Sequence, residues 1–235
     1  GTGIFNQYGG VVSNVNNVFF MGESGSATWN MNGGSAYLGE LRFNNSSSAG
    51  SHLYLNSGGT IQLTGITVGT NNNPSIINFN GGTLQASANN ANFMSGLQYA
   101  LLDNGNAIID SQNYNITVAQ QRTDDGVFLS QSGGVTKQGS GTLTLSGANS
   151  YTGDTTINGG TVLTTTASTT PGNVTLADNT GFGVTVLSSG AAYSAANLTL
   201  GSSGNTALTF NMGSFGNPDV SHAPVILTGN LINNA

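Results

Sequence analysis

Glycines recur at a nearly constant interval through the first half of the chain: Gly9, Gly33, Gly58, Gly81 and Gly105 stand about 24 residues apart. Each sits in a polar turn that leads into a short alternating segment, as in QYGGVVSN, MNGGSAYLG, NSGGTIQLTGITVG and FNGGTLQAS. Looser copies follow at SGGVTKQG and INGGTVLTT, the second of which contains Gly159. A tight corner repeated at a fixed period needs either φ > 0 or close approach of backbone to backbone, and both disfavour a Cβ. A period in the twenties is that of a coil in a solenoid.

Between the turns the apolar residues alternate: Ile61 and Leu63, Ile66 and Val68, Leu143 and Leu145, Leu198 and Leu200. Period-two alternation turns one face inward. The expected fold is therefore all-β, a β-solenoid of parallel coils with about 24 residues in each. No shift in composition, charge run or Pro-rich linker divides the sequence, so residues 1–235 are read as one continuous solenoid segment. Only 88–102 has helical spacing, with Phe93, Met94, Leu97 and Leu101 able to share a face, and at most a short helix or loop excursion is expected there.

Composition narrows the function classes. Charged residues make up 5% of the chain, so solubility must come from Asn, Ser and Thr, which are interspersed with apolar residues as in a folded chain. Aligned in stacked coils, Asn and Thr can form polar ladders where charges would repel. Three basic residues, Arg42, Arg122 and Lys137, against nine acids give a net charge of −6 and no footprint for a phosphate backbone, which excludes nucleic acid. No run of about 18 apolar residues and no basic amphipathic helix is present, so no membrane insertion by this segment is expected. Without cysteine, stability must rest on backbone pairing and a long core. The sequence opens on Gly1 with no leader-like region and reads as an excised or processed piece.

The strongest local signal is GGVTKQGSGTLTLSGANSYTGDTTINGGTVLT at 133–164. It has a Lys137-Gln138-Gly139 lead-in, a strand at 141–145, a Ser146-Gly147-Ala148-Asn149 corner, Tyr151-Thr152-Gly153, and a return strand at 155–162. This segment resembles the autotransporter-associated β-strand repeat of bacterial secreted passengers. It departs from that repeat at Asp154, where many copies carry a further glycine; the corner there need not require φ > 0. The resemblance implies a right-handed parallel β-helix exported to the cell surface or beyond, and it names no ligand. The first 130 residues look like looser relatives of the same coil.

Candidate chemistry is sparse. Asp103 with Asp110, and Asp124 with Asp125 beside Arg122, are the acid pairs that a polysaccharide hydrolase or lyase would need. Arg122 to Gly126 also reads as a solvated turn, and this reading is preferred. His52 and His222 are isolated, and no calcium-loop motif occurs, so neither a metal nor a cofactor is expected. Gly139-Ser140-Gly141 lacks the third glycine and the helix of a phosphate loop, and it reads as a turn. Asn45, Asn115, Asn173 and Asn197 form N-x-S/T sequons, expected by chance at this composition. Phe5, Tyr8, Phe19, Phe20, Trp29, Tyr37 and Tyr54 crowd the first coils, where such residues more often fill a core or seal an end than stack on sugars.

Neither end of the sequence looks capped, and both are strand-like. Ile4, Phe5 and Tyr8 at one end, and Val225, Ile226, Leu227 and Leu231 at the other, are the expected end-to-end interface. It would be covered either by further repeats of a longer chain or by other copies stacked head to tail. The expectation is a structural extracellular or cell-surface rod, not an enzyme, that either continues into further repeats or associates with itself head to tail into a fibre. An adhesin that binds glycans on its lateral face is the alternative, and a polysaccharide-active enzyme ranks third.

Overall fold

The computed structural model describes residues 1–44, 49–69, 74–119, 122–124, 133–170, 172–213 and 222–234, with side chains for all of these except 122–124. The described residues contain strands and turns and no helix. The strands of successive coils pair in parallel, as the recurring corner glycines predict, and one isolated antiparallel bridge joins Asn56 and Gly81.

The strands stack in three columns. The first contains 2–8, 26–33, 51–56, 75–80, 99–102 and 122–124. The second is the longest and stacks ten strands: 11–14, 34–37, 59–63, 83–86, 107–110, 135–138, 155–157, 174–176, 198–200 and 231–233. The third runs through 18–21, 40–43, 65–68, 90–94, 116–118, 142–145, 161–165, 181–185 and 207–211. In the first two coils one continuous strand, Thr2–Met21 and then Ser26–Phe43, bends through all three columns. Tyr193–Ala195 and Val225–Leu227 pair with each other in a separate two-stranded parallel sheet.

Alternation puts one residue of each pair into a single continuous core. In the second column Ala36, Ile61, Leu84 and Ile109 lie in register one above another, and after one intervening coil Ile157 and Leu176 continue the row, each with at most 1% of its surface exposed. Each such side chain is worth about 1.5–3 kcal/mol on burial, so the core grows in proportion to the number of coils. The outward residues of the same strands include Thr60, Thr83, Thr136, Thr156, Thr175 and Thr199, all half-buried.

Two expectations are corrected. Residues 88–102 form two strands, Asn90–Met94 in the third column and Tyr99–Leu102 in the first, with no helix. Phe93, Met94 and Leu97 share the core through strand and loop geometry, because stacking on Ile66 and Ile77 rewards extended backbone over the weak 3.6-residue spacing. The return strand expected at 155–162 is broken into Thr155–Ile157 and Thr161–Thr165, in different columns, by a corner at Gly159 and Gly160. Coil length also varies more than the glycine spacing suggests. Ser35 pairs with Thr60 and Thr60 with Thr83, close to the expected interval. Thr136 pairs with Thr156 and Thr156 with Thr175, which makes coils of only 20 and 19 residues.

Candidate functional site

The expected turn glycines lie on one corner between the first and second columns, with the exception of Gly159. Gly9 and Gly33 fall within the bent strands, where the following residues, Gly10 and Gly34, carry the positive φ of +70° and +80°. Gly58 and Gly81 have positive φ themselves, at +86° and +83°. Gly105 has an ordinary φ, and there the constraint is proximity: a Cβ would lie 2.4 Å from the carbonyl carbon of Asn80 and 2.5 Å from the nitrogen of Gly81. Gly159 stands at the corner between the second and third columns, next to Gly160 at φ +63°.

Beside these glycines runs an amide ladder. Asn56 Nδ2 donates to Asn32 Oδ1 at 3.0 Å, Asn80 Nδ2 donates to Asn56 Oδ1 at 3.2 Å, and the backbone N–H of Gly105 donates to Asn80 Oδ1 at 3.3 Å. Asn30 likewise donates to Asn6 at 2.7 Å. A second ladder occupies the equivalent corner further along. Asn173 donates to Asp154 Oδ1 through both its backbone N–H at 2.8 Å and its amide at 3.0 Å. Asn197 then donates to Asn173 Oδ1 at 2.7 Å, and Asn197 Oδ1 accepts from the N–H of Asn230 at 2.7 Å. Asp154 has no positive φ and serves as the acceptor at the foot of this ladder.

The sequons are built into this framework. Asn173 and Asn197 are rungs of the ladder, and Asn115 Oδ1 accepts from the N–H of Thr142 at 3.1 Å. Asn45 lies outside the described residues.

Asp103 and Asp110 stand in different columns and bond to different partners. Asp103 follows the first-column strand Tyr99–Leu102 and accepts from Asn78 Nδ2 at 3.5 Å. Asp110 ends the second-column strand Ala107–Asp110 and accepts from Gln85 Nε2, Gln112 Nε2 and the Gln112 N–H, each at 2.8 Å. Arg122 and Asp124 lie on a first-column strand over 100–102. Their side chains, and the whole of Asp125, fall outside the described residues. His52 bonds through Nε2 to Asn78 Oδ1 and stacks on Tyr54 with ring centroids 4.0 Å apart. Among the described residues no three of His, Cys, Asp and Glu come together as a metal site would require. Of the aromatics in the first coils, Trp29 is buried and Phe19 packs against the core, while Tyr8, Phe20 and Tyr37 are exposed.

One buried group was not anticipated. Lys137 takes the inward place between Ile109 below and Ile157 above, and it has no exposed surface. Its ammonium donates to the carbonyl oxygens of Gln138 and Gly139 at 2.7 Å and of Gly159 at 3.1 Å, so three donors meet three acceptors at one corner. Burial lowers its pKa to about 8, opposed by the neighbouring carboxylate of Asp110. The signal in the sequence was the alternation itself, since Lys137 is two residues from the buried Val135 and shares its face.

Asp178 is a further carboxylate held by the next coil. It accepts from the N–H groups of Ser202 and Ser203 at 2.6 and 3.1 Å and from Ser203 Oγ at 2.9 Å. Hydrogen bonds from the 202–204 backbone and from Ser203 hold it well below the usual carboxylate range. In chemical terms the bonds between coils are fasteners that join residues 19 to 33 apart in the chain.

Residues 135–163 match the family model described as passenger-associated-transport-repeat. No curated protein and no solved structure matches the chain.

Proposed function

We propose that this chain is a structural β-solenoid segment of an exported bacterial passenger, extracellular or displayed at the cell surface, and that its product is the rod itself. The observation that carries this reading is the passenger repeat at 135–163, which takes its place in the same stacked columns as the rest of the described chain. The polar side chains noted above support it, because Asn56, Asn80, Asn173, Asp110 and Lys137 are all spent on neighbouring coils. On this reading the segment is non-catalytic, and its partners are further repeats of a longer chain or other copies of itself, head to tail in a fibre.

The test is to express the parent protein with an epitope in this segment. Protease shaving and antibody labelling of intact cells should find it outside the cell; retention in the cytoplasm would overturn the reading.

A lateral glycan-binding role is the second reading. It is favoured by the stacked His52 and Tyr54 rings and by the exposed Tyr99, 46% of whose surface is open, two coils further along the same column. Specific signals on a glycan array, lost in Tyr99→Ala, would establish it.

A further inference from the structure

We infer that Asn158 is a self-modifying residue, whose side-chain amide is converted in the folded chain to aspartate and isoaspartate by attack of the Gly159 backbone nitrogen. The inference is independent of where the parent protein resides.

The sequence holds four Asn-Gly pairs, beginning at Asn32, Asn80, Asn104 and Asn158. All four offer the same local chemistry. A glycine after an asparagine has no Cβ to shield its nitrogen, so that nitrogen can approach the side-chain carbonyl carbon. Tertiary structure sets two further conditions. The asparagine amide must be able to turn toward the backbone, and the glycine N–H must not already be given to an acceptor.

Three of the pairs fail one condition or both. Asn32 Nδ2 donates to the carbonyl oxygen of Asn30 at 3.3 Å, and Asn32 Oδ1 accepts from Asn56 at 3.0 Å. Asn80 Nδ2 donates to Asn56 Oδ1 at 3.2 Å, and the N–H of Gly81 donates to the carbonyl oxygen of Asn106 at 2.9 Å. In the third pair the N–H of Gly105 donates to Asn80 Oδ1 at 3.3 Å. Bonds between coils thus engage the attacking or the attacked group in each.

The fourth pair is open. The strand Thr155–Ile157 stops one residue short of Asn158, which is exposed where the chain turns from the second column to the third. The N–H of Asn158 donates to the carbonyl oxygen of Lys137 at 2.9 Å, and the N–H of Thr161 donates to that of Gly141 at 3.3 Å. Between these two anchors, neither the Asn158 side chain nor the N–H of Gly159 has a hydrogen-bond partner among the described residues. The corner is pinned on both sides while its two reacting groups are unengaged.

The reaction needs only water. The Gly159 nitrogen gives up its proton and bonds to Asn158 Cγ; the Cγ–Nδ2 bond breaks, and the amide nitrogen leaves as ammonia. Water then opens the resulting cyclic imide. Opening at Cγ leaves an aspartate in an ordinary backbone, and opening at the main-chain carbonyl carbon routes the backbone through Cγ as isoaspartate. Both products add a negative charge. Isoaspartate also lengthens the main chain just before Gly159, whose carbonyl oxygen accepts from the buried Lys137 ammonium at 3.1 Å. The modification therefore loosens that contact.

The experiment incubates the purified 235-residue chain in mildly alkaline buffer, folded and in parallel in urea. Peptide mapping by mass spectrometry follows amide-to-acid conversion at the four sites, and electron-transfer fragmentation separates isoaspartate from aspartate. In the folded chain, position 158 should convert at least roughly tenfold faster than 32, 80 and 104, where ladder or backbone bonds must open first. In urea the four rates should converge. Asn158→Gln, whose longer side chain cyclises slowly, should keep the fold and lose the signal. The isoaspartate form, separated by ion exchange, should melt below the unmodified chain; an equal melting temperature would overturn the link to Lys137. Comparable rates at all four sites of the folded chain, faster conversion at any of the other three, or an unchanged position 158 while the urea sample converts would each overturn the inference.

Discussion

The ammonium of Lys137 lies 3.1 Å from the carbonyl oxygen of Gly159, a contact that ties one coil to the next from inside the core. A lysine in an apolar row is costly, and here the cost is offset by three carbonyl acceptors placed at one corner. Lys137→Met fits the row but removes the donor from all three, of which the Gln138 carbonyl keeps the N–H of Ser111. We expect a loss of roughly 2–4 kcal/mol at pH 7, read from urea denaturation. An unchanged or raised midpoint would show that the hydrogen bonds do not outweigh the buried charge.

The same lysine sets a pH dependence. Its folded pKa is about 8 against 10.5 in the unfolded chain, so between those values the unfolded state binds more protons. Stability therefore rises with pH in that window. Tyr193 acts in the opposite sense: burial raises its pKa above the ordinary 10.0, so the folded state holds the proton longer and stability falls above about pH 10. Thermal melts should show a rise from pH 8 to about 10 and a fall beyond it. In Lys137→Met the rise should be absent and the fall should remain.

Acid should act through Asp178. Its folded pKa is depressed, so its contribution is present above the unfolded value of 3.8 and is lost as pH falls below it. Carboxyl carbon shifts followed by NMR should show Asp178 still ionised where ordinary aspartates are protonated. Titration near 3.8 would mean that the 202–204 backbone does not grip it.

Gly105→Ala and Gly58→Ala separate two roles of the corner glycines. At Gly58 the new Cβ meets nothing nearer than 3.7 Å, and the cost is that of the φ of +86°, about 1–2 kcal/mol. At Gly105 the dihedral is ordinary, but the methyl would run into the backbone of the coil below. We expect Gly105→Ala to be the more damaging of the two in denaturant titrations. The opposite order would show that the coils can spread.

Asn56→Ala removes a rung that both donates to Asn32 and accepts from Asn80. A loss of about 1–2 kcal/mol is expected from the two bonds. Asn56→Asp should be no milder, because a carboxylate has no hydrogen to give the Asn32 oxygen. Thermal denaturation of both variants checks the pair.

The stacked coils and the identity of most core residues were legible in the sequence, because both rest on local features. Corner glycines recur, and apolar residues alternate with period two, so Ile61, Leu143 and Leu198 could be placed inside without knowing their neighbours. The passenger repeat was legible for the same reason, being contiguous. The alternation also reached Lys137, yet its charge argued for the surface; only the cage of carbonyls from 138, 139 and 159 reverses that argument, and those acceptors are assembled by stacking. The same holds for Asp154, read as a departure from a motif and found at the foot of the Asn173 and Asn197 ladder. Coil lengths of 19 and 20 residues were likewise set by pairing across coils. Local chemistry decides which way a residue points, whereas its partner is fixed by how many residues the chain takes to come round again.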